Sequence, residues 1–317
     1  MVPPLCQILL HPARLVEDAS VALKAAGELF AISIVVQAVV AAITHPEVFG
    51  SKHWSSRLFG YPSACVVIDT APASYFGLVL YIFVAYLNIL FCKIKLVRFH
   101  TTREDEWTGL GMGKRIFILG STYVFALSVS TFALCWSISP FQSIYWHTAF
   151  FSFYLVARWF AVLASIVEYN ARISARNEIE HPRTKVKRAV YMAIYFICTI
   201  GCSACWFADM VAGEGKGWGD AQPELEEHTP LIPWLVTCIL DYGTLICVAL
   251  TTKFLPNNPV VLANYITIDR AHTHVAAGEA MPNAAEEASA ASSRGRDHAT
   301  IDFVEMQIVH DKPPRPE

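Results

Sequence analysis

The chain has 317 residues, of which 54% are hydrophobic and only 16% are charged, and its formal net charge is -3. This composition is far too apolar for an ordinary soluble protein of this length. The apolar residues are concentrated in runs of about twenty, which is the length that crosses a bilayer. No basic patch favours nucleic acid as a partner. The sequence therefore predicts an all-α, polytopic membrane protein.

Six apolar runs are predicted to form a bundle of transmembrane helices. In chain order they cover about residues 25–43, 74–92, 116–138, 147–167, 189–211 and 231–253. They define a six-helix transmembrane domain at 23–254, preceded by a cytosolic N-terminal segment at 1–22. The remainder, 255–317, is rich in Ala, Glu, Ser and Pro and cannot bury enough apolar surface to order itself, so we expect a disordered cytosolic tail.

The basic residues between the runs predict the orientation of the bundle. The connections after the second and the fourth spans carry six Lys or Arg residues each. The connection after the first span holds Lys52 and Arg57, the one after the third span holds no Lys or Arg, and the one after the fifth span holds Lys216. Because Lys and Arg are enriched in cytoplasmic loops, we expect both termini to be cytosolic.

Two ionisable residues are predicted to lie within the membrane. Arg158 is placed about eleven residues into the fourth span and Asp241 about ten into the sixth, both counted from the outer face, so each is expected roughly 15 Å deep. Equal depth favours an intramembrane pair. It is interpreted either as a structural ion pair that fixes helix packing or as part of a proton or ion relay, and the single pair favours the structural interpretation.

A second polar cluster is predicted at the outer face. Its members are Asp69 in the first loop, Gln142 and His147 around the turn between the third and fourth spans, and Asp209 at the end of the fifth. A hydrogen-bonded cap of the bundle is the favoured interpretation. A head-group site or a proton-sensitive site is the alternative.

No catalytic, metal or cofactor site is predicted. The eleven histidines lie in loops, in the tail or at span ends, which does not suit a bis-histidine haem site. Cys198, Cys202 and Cys205 share a helix face without a nearby histidine, which is typical of packing. The GLGMGK sequence at 109–114 lacks the strand and the spacing of a phosphate loop.

Two short patterns in the tail suggest interactions with cytosolic proteins. The tetrapeptide from Tyr265 to Ile268 resembles a tyrosine-based sorting signal, and the KPPRP sequence at 312–316 resembles a short polyproline ligand.

Three stretches resemble the DRAM/FRAG/SFK family of six-helix membrane proteins, which includes the damage-regulated autophagy modulators. They are VIDTAPASYFG at 67–77, PFQSIYWHTAFF at 140–151 and CILDYG at 238–243. The last is similar to the family's Cys-Glu-Trp signature, with Asp241-Tyr242 in place of Glu-Trp. Another difference is Pro72-Ala73, where the family usually has Pro-Glu.

The resemblance implies a non-enzymatic membrane regulator that binds membrane lipids, or that binds membrane or cytosolic proteins through its tail. Its branches imply a lysosomal or endosomal membrane, the plasma membrane or the Golgi, and the tyrosine-based pattern favours the lysosomal or endosomal membrane. A small transporter or channel using Arg158 and Asp241 and a plasma-membrane scaffold for lipid signalling are the alternative functions. Self-association is left open.

Overall fold

The computed structural model describes residues 19–50, 56, 59–63, 70–101, 110–137, 143–175, 180–212 and 232–257. Every regular element in these ranges is helical, which confirms the predicted all-α fold. Within the described ranges, six helices are long and apolar enough to cross a membrane. They are α1 (Ala19–Thr44), α2 (Ala73–Thr101), α3 (Met112–Ser137), α4 (Ile144–Ala175), α5 (Pro182–Ala212) and α6 (Trp234–Phe254), and a short 3-10 helix, Pro46–Phe49, follows α1.

Most of these helices are longer than the predicted spans. The helix α4 has 32 residues, or roughly 48 Å at 1.5 Å per residue, which exceeds the hydrocarbon thickness of about 30 Å. The predicted span ended at Val167, whereas α4 continues through Glu168 and Arg172 as a regular helix. Charged residues that were predicted to follow the span therefore belong to the same continuous helix as the apolar residues before them.

The helix α4 is the most enclosed part of the bundle. Within its most apolar window, 61% of the residues are buried, compared with 33% to 39% for the other five spans. It packs against α3 and α5, while α1 packs against α2 and α6, α2 against α3, and α5 against α6. Polar side chains on α4 therefore meet several other helices.

Aromatic side chains fill the space around α4. The rings of Tyr154 on α4 and Phe132 on α3 are stacked with centroids 4.6 Å apart, and Tyr81 on α2 meets Phe132 edge-on at 4.8 Å. The outward faces are also apolar, as Val35 and Ile82 show with exposed fractions of 62% and 60%. A bundle that is apolar both inside and outside is suited to lipid rather than to water.

Some of the predicted features lie outside the described residues. These are most of the N-terminal segment, at 1–18, and nearly all of the tail, at 258–317, with Tyr265, Ile268 and the proline-rich pattern.

Candidate functional site

Arg158 lies fully buried near the middle of α4. Its Nη1 donates a hydrogen bond to Oδ1 of Asn88 on α2 at 3.1 Å, and its Nη2 donates to the backbone carbonyl of Leu23 on α1 at 2.9 Å. Both acceptors are neutral. No ion pair links Arg158 to a carboxylate in the part of the chain that the structure describes. The guanidinium thus connects three helices through uncharged partners.

A glycine on α1 makes room for this guanidinium. A Cβ atom at Gly27 would lie 2.7 Å from Nη2 of Arg158 and 2.9 Å from the backbone carbonyl of Val248 on α6. Both distances are below van der Waals contact, so a larger residue would force the helices apart. The absent side chain lets α1 approach both Arg158 and α6.

Asn88 extends the contacts of Arg158 toward the aromatic core. While Oδ1 accepts from the arginine, Nδ2 donates to the hydroxyl of Tyr154 at 3.1 Å. Tyr154 lies one helical turn before Arg158 on α4. The orientation of the Asn88 amide is therefore set on both sides, because its oxygen faces a cation and its nitrogen faces a hydroxyl.

Asp241 is buried in α6 with partners other than Arg158. Its Oδ2 accepts hydrogen bonds from the Tyr61 hydroxyl at 2.9 Å and from Ser63 Oγ at 3.0 Å. Trp206 Nε1 on α5 donates to the Tyr61 oxygen at 3.3 Å. Burial and the neighbouring Asp241 carboxylate raise the pKa of Tyr61, which keeps the phenol protonated as a donor. This network fastens the loop after α1 onto α5 and α6.

The structure does not bring Arg158 and Asp241 together as the sequence predicted. The reason is the register of the two helices. The depths predicted from the sequence were counted from spans beginning at His147 and near Leu231. In the structure, α4 begins at Ile144 and α6 begins at Trp234. Measured from these starts, the two residues lie about 21 Å and about 10 Å along their helices.

The contacts around Gly27 show the same difference in level. The guanidinium of Arg158 lies beside the α6 carbonyl of Val248 across Gly27. Val248 follows Asp241 by seven positions in α6, which is about 10 Å along the axis. Arg158 and Asp241 therefore belong to different layers of the bundle.

The predicted outer-face cluster is described only in part. Asp69 and Gln142 lie outside the described residues. His147 places Nδ1 3.0 Å from the carbonyl oxygen of Cys135, which joins the start of α4 to the end of α3. Asp209 accepts a hydrogen bond from the backbone N–H of Ile232 at 3.2 Å, which joins the end of α5 to the segment before α6. Each contact caps the bundle at a different turn.

A buried charge cluster at the opposite end of α4 was missed by the sequence analysis. Glu168 forms ion pairs with Lys95 and Arg98 on α2, the latter at 2.9 Å, and lies 3.7 Å from Arg172 one turn later on α4. Glu168, Lys95 and Arg98 are all buried. The spacing of 95 and 98 on one helix, and of 168 and 172 on another, would have indicated matching faces.

A second ion pair lies at the start of α5. Arg188 donates to both carboxylate oxygens of Glu180, at 2.8 and 3.1 Å, and its Nε donates to the backbone carbonyl of Phe254 at the end of α6. We call the end of the bundle that carries the Glu168 cluster and the Arg188–Glu180 pair the basic end. Its charged groups join α2 to α4, and α5 to the end of α6.

Comparisons with known proteins give no evidence on the function, which is therefore inferred from the contacts described above. No protein-family model, curated protein or solved structure matches the chain. The resemblance to the DRAM/FRAG/SFK family therefore stays a prediction. Within the described ranges, no group of three or more His, Cys, Asp or Glu side chains is placed to hold a metal ion.

Proposed function

We propose that this integral membrane protein is a non-enzymatic regulator of endolysosomal membranes that acts by binding protein or lipid partners. The proposal rests on the hydrogen bonds and ion pairs that the buried polar side chains make. Arg158, Asp241 and Glu168 each bond to groups from other segments of the chain, at different levels of the bundle. Such contacts hold helices in fixed positions, which suits a scaffold that presents a constant surface.

The same observation argues against transport through the predicted pair. A relay requires donors and acceptors within hydrogen-bond reach of one another, and Arg158 and Asp241 have separate partners in separate layers. Aromatic side chains, including Phe132, Phe151 and Trp206, pack within the same core. These features support a binding function over a conducting one.

The proposed location in the cell rests on sequence patterns. The distribution of Lys and Arg supports cytosolic termini, and the motif from Tyr265 to Ile268 supports delivery to endosomes and lysosomes. The three stretches that resemble the DRAM/FRAG/SFK proteins support a role in promoting autophagy. A plasma-membrane scaffold for lipid signalling is the outcome to expect if the sorting motif is unused.

Reconstitution separates binding from transport. We expect liposomes containing the purified protein to conduct protons, sodium and chloride no faster than protein-free liposomes, measured with entrapped fluorescent indicators. Asp241→Asn should change thermal stability without creating or removing a flux. A flux in the original protein that disappears in a folded Asp241→Asn variant would replace the proposal with a transporter.

Location and activity are tested in cells that lack the protein. We expect the tagged full chain to locate to lysosomes and to restore autophagic flux, while Tyr265→Ala moves it to the cell surface. Thr267→Ala is the matched control, because it changes a position inside the tetrapeptide that such signals leave variable. Surface location of all three forms, with no change in autophagic flux, would contradict the endolysosomal proposal.

A further inference from the structure

Three exposed cations at the basic end take no part in holding the helices together. They are Arg183 and Lys187 on α5 and Lys253 on α6. In the part of the chain that the structure describes, none of their side chains forms an ion pair. The neighbouring carboxylate of Glu180 has both oxygens bonded to Arg188. The three charges are therefore accessible to a group from outside the chain.

Contacts between α5 and α6 bring two of these cations to the same level. Arg188 Nε donates to the carbonyl of Phe254 at 3.1 Å, and the ring of Tyr191 stacks on that of Phe254 with centroids 4.6 Å apart. Lys187 directly precedes Arg188, and Lys253 directly precedes Phe254. The same contacts that join the two helices thus hold the backbones of the two exposed lysines side by side.

An apolar stripe continues from the cations along α5. Arg183, Lys187, Val190 and Ile194 follow one another at intervals of four, three and four positions, which places them on one face of the helix. Val190 and Ile194 are exposed. Seven positions beyond Ile194 on the same face, a Cβ atom at Gly201 would lie 3.0 Å from a side-chain carbon of α6. This face of α5 therefore runs beside α6.

A matching stripe leads to the cation on α6. Ile239, Ile246 and Lys253 are spaced seven positions apart, so they share a helix face, and all three are exposed. Ile246 and Ile239 lie about 10 Å and about 21 Å from Lys253 along the axis, whereas one leaflet of hydrocarbon is about 15 Å deep. We call the surface formed by these faces of α5 and α6 the α5–α6 seam.

The order of charge and apolar surface along the seam favours a phospholipid. Cations at its end attract a phosphate, and the apolar part beyond them has the depth that an acyl chain occupies. A free phosphate or an acidic protein segment would compensate the cations without using the apolar part. The distribution of Lys and Arg predicts that this end faces the cytosol, where the leaflet is rich in anionic lipids.

We propose that the α5–α6 seam is a binding site for one anionic phospholipid. Its headgroup lies between the cations of the two helices, and an acyl chain follows the exposed apolar side chains. The site rests on the proposed function in one respect, since it names the class of lipid that the regulator binds. The two fail separately, because binding is measured on purified protein and location is measured in cells.

Lipid titration of the purified full chain tests the site. The protein, in micelles of a neutral detergent, is titrated with dioleoyl phosphatidylserine or dioleoyl phosphatidylcholine at constant ionic strength. We expect native mass spectrometry to show one retained phosphatidylserine, and the unfolding temperature to rise saturably, because a ligand that binds only the folded state stabilises it. Phosphatidylcholine, inorganic phosphate and glycerophosphoserine at the same concentrations should produce neither effect.

Two double variants with the same loss of charge form a matched pair. Lys187→Gln with Lys253→Gln should weaken the phosphatidylserine midpoint on the order of tenfold or more, because each cation near a membrane surface strengthens binding about fivefold. Lys93→Gln with Lys114→Gln is the control. These two lysines are also exposed at the basic end, but they belong to α2 and α3, and the control should leave the midpoint unchanged.

Each outcome supports or overturns the site. Equal weakening in the two double variants would overturn it, because the attraction would then depend on net charge and not on the seam. Equal retention of phosphatidylserine and phosphatidylcholine would also overturn it. Stabilisation by glycerophosphoserine or by a soluble polyglutamate peptide, without any by phosphatidylserine, would replace the lipid with a soluble anion or a protein segment.

Discussion

The same two helices, α2 and α4, meet through buried charge at two levels, and the two contacts differ in kind. Near the middle of the bundle, Arg158 bonds to the neutral side chain of Asn88. Near the basic end, Glu168 is paired with Lys95 and Arg98. One level thus compensates a buried charge with dipoles, and the other compensates it with opposite charge.

The comparison teaches that burial alone does not determine what a charged side chain contributes. Removing one member of a buried ion pair leaves its partner charged in a medium of low dielectric constant, which is strongly unfavourable. Removing a buried charge whose partners are neutral also removes its own desolvation cost. Arg158 and Glu168 are equally inaccessible, yet substitutions at the two positions should have different consequences.

The largest effect is expected for Glu168→Gln. This change leaves Lys95 and Arg98 buried without the carboxylate that faces them, and we expect a loss of about 3–5 kcal/mol in the free energy of unfolding. Reversible unfolding of the purified protein in mixed micelles measures it. Glu47→Gln is the control, since the side chain of Glu47 is 68% exposed and pairs with His45.

A double variant identifies the source of that loss. Lys95→Met combined with Glu168→Gln should be less destabilised than the sum of the two single variants, because Lys95→Met removes one of the two buried cations that Glu168→Gln leaves facing no carboxylate. Simple additivity would show that the two charges do not interact energetically and would contradict the description of the basic end as an ion-paired layer.

An intermediate effect is expected for Gly27→Ala at the Arg158 level. The added methyl group would meet Nη2 of Arg158 and the backbone of α6, and we expect a cost of about 1–3 kcal/mol from overpacking. Thermal unfolding provides the measurement. In contrast, Gly120→Ala on α3 meets nothing within 4 Å and should be neutral or slightly stabilising; equal effects at both glycines would disprove the close approach.

The smallest effect is expected for Arg158→Met. The change removes the desolvated charge and retains much of the side-chain volume, while Asn88 and the Leu23 carbonyl each lose the hydrogen bond that they accept from the guanidinium, so we expect a net change of only about 1 kcal/mol. The experiment is again unfolding of the purified protein. A loss as large as that of Glu168→Gln would show that Arg158 is held by an opposite charge.

The fold could be predicted because the bilayer imposes a length and a composition on each helix. Runs of about twenty apolar residues indicate spans whatever their neighbours are, and all six occur as helices. The ends of the helices are harder to predict from the sequence, because the apolar pattern ends before the backbone hydrogen bonding of the helix does. This is why Glu168 was placed after the fourth span although it lies inside α4.

The polar contacts could not be predicted as well, because they depend on register between helices. The sequence analysis singled out Arg158 and expected a carboxylate, Asp241, as its partner. An error of three positions at each helix start was enough to place Arg158 and Asp241 at equal depth. Tyr61 and Trp206, which complete the Asp241 network, carry no local pattern that distinguishes them from other aromatic residues.

The position of Arg158 in the chain bears on how the bundle is made. Chains are synthesised and folded from the N-terminus onward, and both described acceptors of Arg158, the Leu23 carbonyl and Asn88, belong to α1 and α2. The partners of Glu168 on α2 also precede it. When α4 enters the membrane with its two charges, the groups that receive them have therefore already been inserted, and α5 and α6 close around a helix whose polar contacts are in place.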